Sequence, residues 1–416
     1  MFIMPLGSYL TQKGWKPKTL IAIGAAVMFP FFVLSTIVNQ FWAFAMFYIL
    51  AFSWNQGICY MTPIHQGWAW FPCHGGLVSG IIIGGFGFGP LIFDNVITRT
   101  INPENLPVDL STGYYDASVD DNFLFTWRIV IASWFALAVI GFFTIFEGPK
   151  KAKKEDALQV STVEEVATET DQLDSEEPVR SGNLNKSAAS VFGESDNVSV
   201  SEAQASVLLA GHQPQAPVKT PVMQMVCARP FILLYVMNTL SLITGIFAIN
   251  NFKLYGQKNG LTNENYLAWV GSVAAVCNAI RFIWSTATDY VPYKSVYAVL
   301  LCIQIVLNFT IPFVSKDNIL YALWISGMLL CEGGHFTLVP NVLKKIYGAE
   351  AGTLLYGFLF SYSGIVSILI IVLQALLLTD NPRSYNIFFY INGTFSVIAL
   401  GLLCFLFSEE KFIHKN

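Results

Sequence analysis

Charge is what this chain has least of. Only 12% of its 416 residues are Asp, Glu, Lys or Arg, about half the share that covers a soluble domain. A water-facing surface over most of the chain is thereby excluded, and lipid must be the solvent for much of it. The seven cysteines form no CxxC pair and no Cys/His zinc spacing, which excludes a metal centre or a disulfide framework. No phosphate-cradling Gly-rich loop ending in Lys-Ser/Thr is present, so the sequence offers no nucleotide-driven pump. No cofactor pattern is present either, and no Ser/His or Asp/Glu cluster sits at one end of a span, which argues against an enzyme. The net charge of −4 says little by itself, because the acidic residues are clustered in one segment; no nucleic-acid partner is expected. The first ten residues are apolar but too short for a span, and they lack the basic start of a signal peptide.

What the chain has instead is length in apolar runs. A bilayer core takes about 20 apolar residues per helix, and only helices or closed barrels satisfy the backbone there. That ruler predicts ten helical spans near 19–38, 41–62, 77–98, 126–146, 230–250, 266–286, 296–314, 319–340, 352–378 and 386–407, with a half-length stub at 1–10. Between the fourth and fifth spans the composition changes. Residues 147–228 open with Lys150, Lys151, Lys153 and Lys154 and turn acidic and Ser/Thr/Gln-rich. Such a stretch buries too little apolar surface to offset its ordering entropy, and it is expected to be a disordered linker. The expected domains are a transmembrane bundle at 1–146, the linker at 147–228, and a second bundle at 229–416. The formal sequon Asn197-Val198-Ser199 falls in the linker.

Lysine and arginine in the short loops set orientation. With the linker inside, Lys13, Lys16, Lys18, the four linker-start lysines, Lys294, Lys344, Lys345, Lys411 and Lys415 lie inside. Arg99, Arg128, Lys253, Lys258, Lys316 and Arg383 lie outside. The excess inside predicts a cytosolic linker and C-terminus. The outer loop 99–125, with Glu104, Asp109, Asp116, Asp120 and Asp121, reads as a solvated acidic surface or a cation-collecting mouth.

Two loops echo each other. One runs Gly7-Ser8-Tyr9-Leu10-Thr11-Gln12-Lys13-Gly14-Trp15-Lys16-Pro17-Lys18, and the other Ser285-Thr286-Ala287-Thr288-Asp289-Tyr290-Val291-Pro292-Tyr293-Lys294. Each is a tight turn between spans at a corresponding place in its half, the pattern of transporters built from repeated bundles. At these residues the chain resembles the major facilitator superfamily, whose loop reads Gly-x-x-x-Asp-Arg/Lys-x-Gly-Arg/Lys-Arg/Lys. The first copy keeps Gly7, Gly14 and the lysines with Thr11 for the acid; the second keeps Asp289 with Ser285 and Pro292 for the glycines. A narrower likeness lies in Trp70-Phe71-Pro72-Cys73-His74-Gly75-Gly76-Leu77-Val78-Ser79-Gly80 and Gly84-Gly85-Phe86-Gly87-Phe88-Gly89-Pro90. It is similar to a stretch of the oxalate/formate antiporter and monocarboxylate transporter branch. The resemblance implies an all-α membrane fold of two six-helix bundles with the first helix missing, about 11 segments in all. It implies alternating access for a small anionic solute such as a monocarboxylate, driven by protons or exchange; a transporter of the same fold for an amino acid, sugar or drug-like molecule, or a non-transporting membrane receptor or enzyme, is the alternative. It also implies that Gly7, Gly14, Lys16, Asp289 and Lys294 belong to gating loops.

Several residues inside spans are candidates for the site. Arg281 is costly in lipid unless it meets water or a partner, and the resemblance places it where the branch binds a substrate carboxylate. The alternative is snorkelling from about 8 Å inside the helix end. Glu332 and His335, three apart, share a helix face and could exchange protons, or Glu332 could simply pair with Arg281 to hold two helices. Asn55, Gln56, Tyr60, Asn278 and Tyr356 are polar groups that either read the substrate or join helices. Gly76, Gly80 and Gly84, with Gly85 and Gly89, recur at a spacing of four that permits close helix approach, sliding or static. The span 352–378 lacks the second cation of the oxalate branch, which argues for a singly charged substrate.

Overall fold

The computed structural model describes residues 3–104, 106, 115–149, 221–379 and 381–408. The linker expected at 147–228, its lysines and its sequon therefore fall almost wholly outside the described residues, as do residues 105 and 107–114 of the acidic loop 99–125, and Lys411 and Lys415. Residues Met1–Gly148 and Val218–Asn416 form one compact unit.

Among the described residues the secondary structure is entirely helical. The order is α1 (Met4–Gln12), α2 (Pro17–Ser35), α3 (Phe41–Cys59), α4 (Met61–Trp70), α5 (Gly75–Ile101), α6 (Ala117–Asp121), α7 (Phe123–Thr144), α8 (Val222–Val226), α9 (Arg229–Lys258), α10 (Glu264–Ala279), α11 (Phe282–Tyr290), α12 (Tyr293–Val314), α13 (Asn318–Leu359), α14 (Ser361–Leu377) and α15 (Pro382–Leu406). Eight stretches are long and apolar enough to cross a membrane, and the chain is a multi-pass membrane protein. Nine of the ten expected spans fall on these stretches, counted among the described residues, and the tenth, 41–62, falls on α3 and α4.

Local chemistry sets the helix ends. Pro17 starts α2 because proline at the first turn costs no hydrogen bond. Asn263, Asp317 and Asn381 cap α10, α13 and α15 by accepting from the amides of Tyr266, Leu320 and Arg383, which satisfies donors a helix leaves free. Asp116 does the same for α6 through Ser118, and that bond holds its carboxyl below the usual range. Gly14 stops α1 at φ +84°, with the Trp15 amide reaching back to the Leu10 carbonyl at 3.2 Å, a left-handed stop that favours glycine. Gly348, at φ 80° and ψ 170°, turns the chain within α13. Two antiparallel legs thus meet through a single residue.

Two cores result. In the first half, Phe29, Phe32, Trp127, Val130 and Ile131 pack α2 and α7 together with Tyr48, Phe52 and Trp134, and Trp127 Nε1 donates to Ser35 Oγ at 2.8 Å. The larger core centres on α9 and α12–α15 and takes in Met4, Ile64, Trp68 and Ile83 of the first half. It encloses a polar cluster. His335 Nε2 meets Gln304 Oε1 at 2.8 Å. Gln304 Nε2 donates to the Ser241 carbonyl at 2.7 Å and to Ser396 Oγ at 2.8 Å.

Hydrogen bonds that join the two halves gather at the end where α7 leads into the linker, called here the linker end. Asp289 accepts from the Gly76 amide at 2.7 Å and the Leu77 amide at 2.9 Å, capping α5 from the opposite half. Lys344 Nζ donates to the Pro72 carbonyl at 3.1 Å. Ser8 Oγ donates to the Thr353 carbonyl at 3.1 Å, and Gln12 Nε2 to the Glu350 carbonyl at 2.8 Å. From there α5 lies along α11, and a side-chain carbon added at Gly76 or Gly80 would run into Ser285. One at Gly84 would sit 2.9 Å from the Ala279 carbonyl. These three glycines therefore line a seam between the halves. Gly85 and Gly89 do not, since a carbon added at either meets nothing within 4 Å. A spacing of four from the wrong starting residue selects a different helix face.

Candidate functional site

Three membrane legs are interrupted at matching depth. Between α3 and α4 the break falls at Tyr60, between α10 and α11 at Ile280–Arg281, and between α13 and α14 at Phe360. Counting residues to the linker end at about 1.5 Å each, Tyr60, Arg281 and Phe360 lie roughly 14–18 Å along their legs, near the middle of a core about 30 Å thick. Each break has a local cause. Pro63 has no N–H for the Cys59 carbonyl and crowds it. Ser361 and Ser363 turn their hydroxyls onto the Phe358 and Phe360 carbonyls at 2.8 and 2.7 Å, competing with the helix ladder. At Arg281 the side chain itself enters the ladder: Nε donates to the Asn278 carbonyl at 2.8 Å. The next amides then bond three residues back, Ile283 to Ile280 and Trp284 to Arg281, both at 3.1 Å.

The three breaks converge. The rings of Tyr60 and Phe360 lie 5.5 Å apart, and those of Tyr60 and Tyr356 stack at 6.1 Å. Phe336 lies 5.8 Å from Phe360, and the Arg281 guanidinium sits 5.9 Å from the Phe336 ring centre. Arg281 is 4% exposed. Glycines on two helices fit around it. A carbon added at Gly333 would lie 2.6 Å from Arg281 Cβ, and one at Gly87 3.2 Å from Arg281 Nη2. Its Nε has a protein acceptor; among the described residues no hydrogen bond holds its two terminal nitrogens. An apolar groove beside α2 and α7, lined by Phe29, Phe135 and Phe142, takes in none of these residues.

Glu332 lies beside Arg281 but is joined to it through Asn278. Asn278 Nδ2 donates to Glu332 Oε2 at 3.3 Å while its carbonyl holds Arg281. The direct ion pair open from the sequence is thus replaced by an amide bridge. Glu332 packs against Gly245 of α9. His335 turns elsewhere. Its ring is fully buried in the Gln304 cluster, with Ser241 Oγ and Tyr297 Oη each 3.4 Å from Nδ1. Three residues advance a helix by 300°, and in this packing that is enough to send the two side chains into different networks.

The remaining candidates divide. Tyr60, Asn278 and Tyr356 belong to the convergence. Asn55 turns to α2, its Oδ1 beside Gly24, and Gln56 is half-buried one turn before Tyr60. Gly7 is not in a gating loop. It lies within α1, where an added carbon would sit 2.7 Å from the Gly57 carbonyl. Lys16 is exposed and precedes α2. Lys294 donates to the Cys404 and Phe407 carbonyls at 2.9 and 3.0 Å, and so fastens α12 to the end of α15 within one half. Residues that sequence reasoning missed are Phe336, Phe360, Gly87 and Gly333. Pro63 and the Ser361–Ser363 pair were the available signals for two of the breaks.

No protein-family model matches the chain. A curated relative, the apicoplast pyruvate carrier 1 of Toxoplasma gondii, is 25% identical over 382 residues. The match takes in 86% of this chain, and the chain spans 63% of that relative's length. Among solved structures, the proton:xylose symporter XylE aligns with a TM-score of 0.59 at 13% identity, covering 99% of this chain and 83% of that one. The E. coli fucose:proton symporter FucP aligns with a TM-score of 0.53 at 10% identity, covering 98% and 88%. The fold is that of the major facilitator superfamily.

Proposed function

We propose that the chain is a secondary transporter that carries a small monocarboxylate across a membrane by alternating access, and that it is not an enzyme. One observation carries the reading: a buried arginine at the meeting point of three interrupted helices, whose Nε alone is held by a hydrogen bond among the described residues. A buried guanidinium there is expensive, and a carboxylate matches its fork geometry. Tyr60 and Tyr356 from the two halves close over it, so a bound anion touches both bundles. The similarity to a pyruvate carrier supports a short monocarboxylate. The one guanidinium at the site supports a single negative charge.

Coupling follows from Glu332. Proton uptake there removes a negative charge that competes with the substrate for Arg281, so anion and proton bind together. Asn278 transmits the change, because it holds both groups. Asp289, Lys344, Ser8 and Gln12 hold the linker end shut, and transport requires those bonds to break. With the linker in the cytosol, this arrangement is closed inward. The named relative supports an organelle membrane.

Uptake of radiolabelled short-chain acids into proteoliposomes, with and without a pH gradient, tests the reading. Arg281→Ala abolishes uptake, and Arg281→Lys retains a small fraction of it. Glu332→Gln removes the dependence on the gradient. Undiminished uptake by Arg281→Ala sinks the assignment of the site.

A further inference from the structure

Lys18 and Lys294 hold the same place in the two halves. Each follows one of the two echoed loops and is the second residue of its helix, α2 or α12. Each also stands beside the end of the last helix of its half, α7 or α15. Lys294 gives its ammonium to the Cys404 and Phe407 carbonyls. Lys18 meets rings instead, with Nζ 5.9 Å from the centre of Phe142 and 5.1 Å from that of Phe146. Among the described residues no hydrogen bond or ion pair involves Lys18. Aromatic faces attract an ammonium, but they supply no oxygen for its three N–H groups.

The helices behind the two lysines differ in the same sense. In the second half α12 and α15 close on each other: Gln304 Nε2 donates to Ser396 Oγ at 2.8 Å, and a carbon added at Gly393 would lie 2.8 Å from the Phe309 ring. Between α2 and α7 an apolar groove stays open. Ala22 and Ala25 line one side and Ala138 the other, and Phe142 stands at the linker end, under Lys18. Phe29 and Phe135, edge to face at 5.0 Å and 84°, close the deep end. From Lys18 to Phe29 is about 16 Å of helix, half of a core about 30 Å thick and so the depth of one leaflet.

Charge selects the occupant. An apolar slot one leaflet deep with an ammonium at its mouth matches an amphiphile that carries a negative head on a hydrocarbon chain. Lys16, exposed just before α2, adds a second ammonium at that level. Trp15 is exposed beside it, and tryptophan settles at the headgroup boundary. We propose that the groove between α2 and α7 binds an anionic phospholipid of the linker-side leaflet, with one acyl chain along Ala22, Ala25 and Ala138 and the phosphate taken by Lys18 and Lys16. The lipid then does for the first half what the Lys294 bonds do for the second: it fastens the start of one helix to the end of the last. The site is separate from the Arg281 convergence.

Native mass spectrometry of the full chain in detergent tests this, with palmitoyl-oleoyl phosphatidylglycerol or phosphatidylcholine added in steps. The wild type takes up one phosphatidylglycerol about twentyfold more tightly than phosphatidylcholine, the scale of two lysines at an anionic headgroup. Lys18→Ala weakens phosphatidylglycerol about fivefold and leaves phosphatidylcholine unchanged. Lys18→Arg keeps the preference, and Lys294→Ala stays within twofold of wild type. Ala25→Phe fills the slot and weakens both lipids at least tenfold; its melting curve in lipid-free detergent reports folding, and Ala138→Leu fills the same slot from the other helix should it not fold. Excess inorganic phosphate does not displace the lipid, because the chain holds it. The proposal is overturned if the wild type binds both lipids alike, or if several phosphatidylglycerols bind equally as an annular shell. It is also overturned if Lys18→Ala keeps the preference, if phosphate alone displaces the lipid, or if the filled groove binds as before. A dimer mass that takes the place of the lipid adduct and vanishes in the filled variants assigns the groove to a second copy, and likewise overturns it.

Discussion

Asp289 is the strongest single fastening between the two halves, and its removal gives the sharpest test of how the linker end is held shut. Its two carboxylate oxygens accept from consecutive amides, Gly76 at 2.7 Å and Leu77 at 2.9 Å, at the start of a helix of 27 residues. Asparagine keeps the shape but presents one acceptor and one donor, so one bond is lost and the other loses its charge. A charge-assisted bond is worth roughly twice a neutral one, and a carboxylate at a helix start gains about 0.3–1 kcal/mol from the macrodipole. Because Asp289 is only partly buried, the total is about 2 kcal/mol at the lower end of these figures, or about thirtyfold in a two-state population. The assay is the distribution of distances between spin labels placed at the linker ends of α4 and α13, in a background free of native cysteines. Asp289→Asn moves the population by that factor toward a longer distance, and Asp289→Glu by less. A distribution identical to the wild type would refute the idea that this carboxylate latches the two halves.

Gly87→Ala and Gly333→Ala each press on Arg281 and lower uptake at least tenfold, whereas Gly85→Ala, facing open space, leaves uptake within twofold of wild type; the contrast is read in the same proteoliposome assay. His335→Leu leaves Gln304 Oε1 without its His335 partner inside the second half, while Ser241 and Tyr297 keep each other at 2.8 Å. It lowers thermal stability in detergent by about 1–3 kcal/mol, measured by the loss of the monodisperse peak on heating. Pro63→Ala restores a hydrogen bond to the Cys59 carbonyl, straightens the α3–α4 leg and carries Tyr60 away from Phe360. It weakens substrate inhibition while raising the unfolding temperature.

Much of this was legible before any coordinates. Composition alone dictated lipid as solvent, and the apolar runs located the spans because a bilayer imposes a fixed length on each helix. Arg281 was legible for the same reason, since a lone cation in such a run demands an explanation. The breaks were harder to read. A span written as 266–286 hides the turn at Ile280–Arg281, because the cause is the arginine's own hydrogen bond to Asn278 and not a proline or glycine. The split between Glu332 and His335 was invisible too. Helical spacing gives a shared face, but whether neighbouring helices divide that face depends on where α9 and α12 stand, which no local pattern encodes. Gly85 and Gly89 failed similarly: a repeat of four recurs on every side of a glycine-rich helix, and only the partner picks the side in use. Lys294 followed the loop pattern yet bonds within its own half, because the carbonyls at the end of α15 lie nearer than anything across the seam.

The single-residue turn at Gly348 has a mechanical corollary. It forms the tip of a hairpin whose legs carry Glu332 and Phe336 on one strand of the pair and Tyr356 and Phe360 on the other. That tip is gripped on both flanks, by the Pro72 carbonyl through Lys344 and by Ser8 and Gln12 through Thr353 and Glu350. With no slack at the bend, neither leg can slide without its twin. Unsealing this side of the membrane is therefore the extraction of one stiff prong from a two-jawed clasp, and four aromatic and acidic side chains of the proposed substrate site travel with it.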